Sequence, residues 1–175
     1  MDIEQIKNNA NDKEKFMEYV KEDGLLLEWA SSELQDDKEL VLEAVKCDGG
    51  ALEFASERLK DDKDILLAAV EVKGWVLCYA SEALQDDKDV VLKAAKSDGQ
   101  ILYYASQKLR DDKDVVLEAV TNKGIILKYA SQRLREDKDI AIAAIKQTKK
   151  AFSYIADELK SDEEIQNIIN PSVNE

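Results

Sequence analysis

A chain of 175 residues, 45% hydrophobic and 36% charged, is long enough to bury one sizeable core behind a charged surface. A single proline and six glycines argue against a sheet-rich fold with many tight turns. The net charge of −13 opposes contact with phosphate backbones and anionic head groups, so no direct nucleic-acid or membrane binding is expected.

The first ten residues place Ile3 and Ile6 three apart, the spacing of a short closing helix, and 1–10 reads as an N-terminal cap. This stretch lacks the basic start and apolar run of a secretory leader, and no later run approaches the ~20 apolar residues of a membrane span. Cys47 and Cys78 then read as free thiols of a cytoplasmic protein, with secretion by a leaderless route as the open alternative.

From residue 11 the chain repeats. Asp36–Lys60 (DDKELVLEAVKCDGGALEFASERLK), Asp61–Gln85, Asp86–Arg110 and Asp111–Arg135 (DDKDVVLEAVTNKGIILKYASQRLR) align without a gap at a period of 25 residues. Asn11–Gln35 joins the series, as does the more divergent Glu136–Lys160, which makes six units over 11–160. Each unit reads as a helical hairpin. In the four best-matched units the opening Asp, followed three residues later by Asp or Glu as in Asp86 and Asp89, has the form of a capping box. The apolar run after it (Val90, Val91, Leu92, Ala94, Ala95) covers roughly 200° of a helix, which suits an inner layer. Gly24, Gly49, Gly74, Gly99 and Gly124 follow, at a position where a left-handed residue would end the helix. A second helix of about ten residues is expected next, as in Ile101, Leu102, Tyr104, Ala105 and Leu109. It carries a column of small alanines (Ala30 to Ala130) and an aromatic column (Trp29, Phe54, Tyr79, Tyr104, Tyr129, Tyr154).

Neither short helix is stable alone, so adjacent units must supply the missing packing. The fold class expected is all-α: a single α-solenoid domain over 1–175, built of tandem 25-residue helical hairpins. Near its far end Lys149 replaces the glycine, Ile155 the small alanine and Ala156 the serine, and 161–175 reads as a C-terminal capping helix, around Glu163–Asn170, with a tail beyond Pro171. Stacking consumes the regular apolar positions, so the chain is expected to be a monomer.

The phrases DDKDVVLEAV, the Lys-Gly or Asp-Gly pair and YASQRLR resemble the repeat family of domain of unknown function 4116, over essentially residues 11–160. The family's unit resembles two of these hairpins. A faint two-unit alternation agrees: Lys73-Gly74 and Lys123-Gly124 precede Trp75 and Ile125, whereas Asp48-Gly49 and Asp98-Gly99 precede Gly50 and Gln100. The resemblance implies a repeat scaffold and no particular activity.

The chain has no histidine, which removes Ser–His–Asp and Cys–His catalysis and mixed Cys/His zinc sites; no enzyme, cofactor or metal is expected. The serine repeated at Ser31, Ser56, Ser81, Ser106 and Ser131 reads as structural, bonded to nearby backbone. The acids that recur with the period, such as Asp61, Asp62 and Asp64, form an edge whose simplest reading is helix capping and solubility. Attraction of a basic partner and metal binding remain alternatives, although DDKD enters a helix without the glycine that calcium loops use.

Departures from the repeat are more specific. The outermost column of the second segment reads Glu28, Glu53, Cys78, Tyr103, Lys128, Ser153, and Trp75 and Ile125 border it. Trp75, Cys78, Tyr103 and Ile125 are the candidate partner-binding residues, an exposed apolar patch across the third to fifth units; the alternative is that Trp75 and Ile125 tuck between units. The function expected is a non-enzymatic protein-interaction scaffold with an acidic and aromatic surface and an unknown protein partner. The second reading is an acidic mimic that occupies a partner's nucleic-acid-binding groove.

Overall fold

A computed structural model of the protein describes residues 2–171, and the tail expected beyond Pro171 lies outside the described residues. The described residues are mostly helical, with no strand. None of their helices is long and apolar enough to cross a membrane.

Each unit contributes one ten-residue α-helix: Lys13–Glu22, Lys38–Cys47, Lys63–Val72, Lys88–Ser97, Lys113–Asn122 and Lys138–Gln147. These helices pack side by side in chain order to form one layer. In the fourth, Val90, Val91, Ala94 and Ala95 are fully buried. Leu92 and Lys93 are half-buried on the remaining face. One continuous apolar core runs from Ile6 to Ile165.

The second half of the unit is not one helix. It opens with a 3₁₀ helix (Gly24–Trp29, Gly49–Phe54, Gly74–Tyr79, Gly99–Tyr103, Gly124–Tyr129, Lys149–Ser153). The chain then turns extended, at Ala55 with φ −68° and ψ 156°, before a single α-turn such as Glu57–Lys60. The extended residues let one unit bond to the previous one. The Ser56 amide donates to the Gln35 carbonyl at 2.9 Å, and the Ser31, Ser106, Ser131 and Ala156 amides make the same bond in their units. A continuous helix would spend that amide on its own carbonyl four residues back. The break thus trades one local hydrogen bond for one between units.

The recurring serine starts the α-turn that follows. The Ser56 hydroxyl accepts from the Leu59 amide at 3.3 Å, the bond of a helix N-cap. It also donates to the Asp36 carboxylate, which opens the same unit.

Two local expectations are corrected. No glycine among the described residues has positive φ. The repeated glycine is needed because the following unit's long helix lies against it: a Cβ at Gly99 would sit 2.6 Å from the Ala119 carbonyl oxygen and 2.9 Å from the Lys123 nitrogen. Gly24, Gly49, Gly74 and Gly124 meet the equivalent carbonyl of the next unit in the same way. The second correction concerns the caps. The N-cap is the second acid of the unit, as where Asp87 accepts from the amides of Asp89 and Val90, while the first is free to hold the serine later in the same unit.

Both ends carry the expected helices. Ile3–Asn8 buries Ile6 to 1% exposure, and Lys7 lies 4.1 Å over the Trp29 ring. Glu163–Ile169 buries Ile165, and Lys149, standing in the glycine's place, donates from Nζ to the Ile169 carbonyl at 2.7 Å.

Candidate functional site

The acidic edge is an alternating ladder of charge. Lys13, Lys38, Lys63, Lys88, Lys113 and Lys138 each reach the N-cap aspartate of the following unit at 2.6–2.9 Å. The same ammonium lies 2.8–3.6 Å from a second acid two residues further on. The lysine therefore occupies the place between the carboxylates that a metal ion would take. Asp36 accepts from the Ser56 hydroxyl and then from Arg58, and both hold its carboxyl below the usual range. At Asp37, Asp62, Asp112 and Asp137 burial works to raise the carboxyl. The lysine ammonium and two backbone amides outweigh it and leave each below the ordinary value.

These shifts give the array a defined pH range. A carboxyl depressed in the folded state adds stability above its unfolded value of about 3.9, and that stability is lost as pH falls through the folded value. The six lysines are raised by bonds to the same acids. Their contribution is complete below about 10.4 and lost as pH rises past it. Denaturant midpoints should be flat across neutral pH and fall below about pH 4 and above about pH 10.5. Each rung is partly exposed, so water screens it and it weakens further with salt.

The 3₁₀ helices form the other layer, and the four candidate residues lie on it. Trp75 and Tyr103 are exposed, at 38% and 56%, and Cys78 and Ile125 are half-buried. Trp75, Tyr103 and Ile125 line one shallow groove of about 290 Å³, completed by residues including Gln100, Tyr129 and Lys128. Trp75 and Ile125 are thus partly open in a common groove. Tyr103 stands edge-on to both Tyr104 and Tyr129, with centroids 5.0 and 5.3 Å apart. Trp75 meets Tyr79 in the same manner at 5.8 Å. Lys128 lies 4.7 Å over the Tyr129 ring and sets a cation at the groove's edge.

Cys78 does not line the groove. Burial raises its thiol above the ordinary value, which keeps it protonated at neutral pH and a poor nucleophile. Beside it, burial and then the Glu53 carboxylate push the Tyr79 phenol up to about 12. Gln100, Lys128 and Tyr129 were not singled out from sequence, because a polar or repeat-conforming residue gives no signal until the units are stacked.

The groove belongs to the third to fifth units because the two-unit alternation reaches the surface there. Asp98 caps its 3₁₀ helix by accepting from the Gln100 amide at 2.9 Å, whereas Lys73 and Lys123 offer no such bond. In those units the Gly74 and Gly124 amides donate to the Ser97 and Gln147 side chains of the next unit. Lys73 pairs back with Asp48 at 2.7 Å. Successive joints are therefore tied differently, with a two-unit period.

No curated protein and no solved structure matches the chain. The family model for the domain of unknown function DUF4116 matches five overlapping windows, residues 12–60, 37–85, 62–110, 87–135 and 112–160. Each window spans two of the units described above, which agrees with that alternation. On this coverage the chain belongs to the DUF4116 family.

Proposed function

We propose that the protein is a non-enzymatic, cytoplasmic interaction scaffold that binds protein through the groove between Trp75, Tyr103 and Ile125. The observation that carries this reading is the placement of an exposed tryptophan and an exposed tyrosine around one groove. Buried aromatic anchors dominate binding energy at protein interfaces, and unburied ones at a groove are the free form of such a contact. At about 290 Å³ the groove is at the lower limit of small-molecule pockets, which run from about 300 to 1,000 Å³, and it suits an inserted apolar side chain.

The mimic reading draws less support. The edge it requires is neutralised in part by the lysine ladder, so it presents alternating charge to a basic groove.

Surface-immobilised chain should retain its bound protein, and the double substitution Trp75→Ala, Tyr103→Ala should reduce affinity about thirtyfold or more, the loss of a hot-spot contact. Undiminished binding by the double variant would sink the groove assignment. Binding abolished by salt and competed by DNA or RNA would favour the mimic.

A further inference from the structure

The layer of 3₁₀ helices has a charge order that the whole-chain total conceals. Its outermost column reads, from the first unit to the sixth, Glu28, Glu53, Cys78, Tyr103, Lys128, Ser153, and all but Cys78 are exposed. Beside the column, Asp23 lies at one end and Lys149 and Lys150 at the other, while Asp48 is already paired with Lys73. Residues 101–150 carry more Lys and Arg than Asp and Glu, against the sign of the whole chain. The face is therefore acidic over its first two units, apolar at its middle and basic over its last two.

These charges differ from those of the ladder. There every lysine is matched by acids of the next unit. Among the described residues, Glu28, Glu53, Lys128 and Lys150 have no ion-pair partner within the chain. Like signs are grouped and opposite signs lie several units apart, so one molecule cannot neutralise them internally.

From this order we propose that the face pairs with the same face of a second copy, antiparallel, about a two-fold axis between the third and fourth units. The proposal rests on the groove's being a protein-binding surface, and it names the partner. Reversed, the column sets Glu53 against Lys128 twice, Cys78 against Tyr103 twice and Glu28 against Ser153. Asp23 of the first unit approaches Lys149 and Lys150 of the sixth. An isologous contact requires a patch that complements itself under a half-turn, and this face does so in both sign and polarity. Its apolar centre, with Trp75 and Tyr103 from each copy, and its charged rim follow the usual anatomy of an interface. The monomer expected from sequence assumed that stacking used up the apolar positions; the exposure of Trp75 and Tyr103 removes that reason.

The test is sedimentation of the full chain. At low salt a concentration-dependent dimer is expected. It should dissociate toward monomer near 1 M salt, where the screening length falls to about 3 Å. Glu53→Lys and Lys128→Glu should each weaken association about tenfold or more, because either places two like-charged pairs at the rim. The double variant should return to wild-type affinity, a recovery that no loss of folding explains. A monomer at every concentration and salt, or a double variant no tighter than the singles, would overturn the pairing. A monomer that still binds another protein through Trp75 and Tyr103 would overturn the pairing alone and leave the interaction scaffold intact.

Discussion

Replacing Gly99 by alanine is expected to destabilise the protein by about 3 kcal/mol, at the upper end of the overpacking range. The added methyl would lie 2.6 Å from the Ala119 carbonyl oxygen, 2.7 Å from the Lys123 Cβ and 2.9 Å from the Lys123 nitrogen. Two of these are backbone atoms at the end of the next unit's long helix, and no rotamer change relieves them. In a domain of this size about 3 kcal/mol lowers Tm by roughly 6–12 °C. Gly50→Ala is the internal control. Its new methyl would meet the Asp48 carboxylate at 3.0 Å and the Leu25 side chain at 3.5 Å, both of which are able to shift. A change within about 0.5 kcal/mol is expected there. Thermal and denaturant unfolding of the two variants, side by side, separates close approach from any general intolerance of alanine. Equal stabilities would show that the joint has slack.

The second large effect is expected at Leu102→Ala. Leu102 is fully buried beneath the fourth unit's 3₁₀ helix. Removing its side chain leaves a cavity at a joint between layers, at a cost of about 3–4 kcal/mol. Neighbour contacts hold the stack, so weakening a middle unit also uncouples the two sides. Hydrogen exchange should show lost protection spreading from 88–110 into both adjoining units. Leu159→Ala, at a half-buried position of the sixth unit, should cost about 1 kcal/mol and leave the first three units unchanged. A uniform loss across the chain in both variants would contradict nearest-neighbour stacking.

The repeat, the period and the two-layer plan were legible in the sequence because burial recurs every 25 residues with little drift. The form of the second segment was not. Six apolar-rich residues such as Gly74–Tyr79 are too few to separate a 3.0 from a 3.6 residue turn. Even so, a signal was present. Ser followed by a polar pair and then Leu, as in Ser31–Leu34, is an N-cap before a new turn, and it marks a break that continuous helix would not need. The glycine's role could not be read from its own residue type, because what demands it is a carbonyl one unit away, at Ala119 for Gly99. Similarly, Asp86 and Asp87 are indistinguishable in sequence. One binds Ser106 near the far end of the same unit and the other caps the long helix, and only the folded unit assigns them. Within the candidate site, Trp75 and Tyr103 stood out as departures from the repeat, whereas Tyr129 conformed to it and stayed hidden until the groove formed.

The terminal helices matter beyond covering two apolar surfaces. The internal joints share the same close approach of glycine to a carbonyl, so the leading side of one unit resembles the trailing side of another, with a two-unit alternation. Uncovered ends would match each other between molecules, and such a head-to-tail join never closes, which is the geometry of a growing filament. Ile3–Asn8 and Glu163–Ile169 occupy those two sides and face outward with Glu4, Lys7, Glu163 and Asn167. Within this stack they cover the two apolar sides that such a join would use.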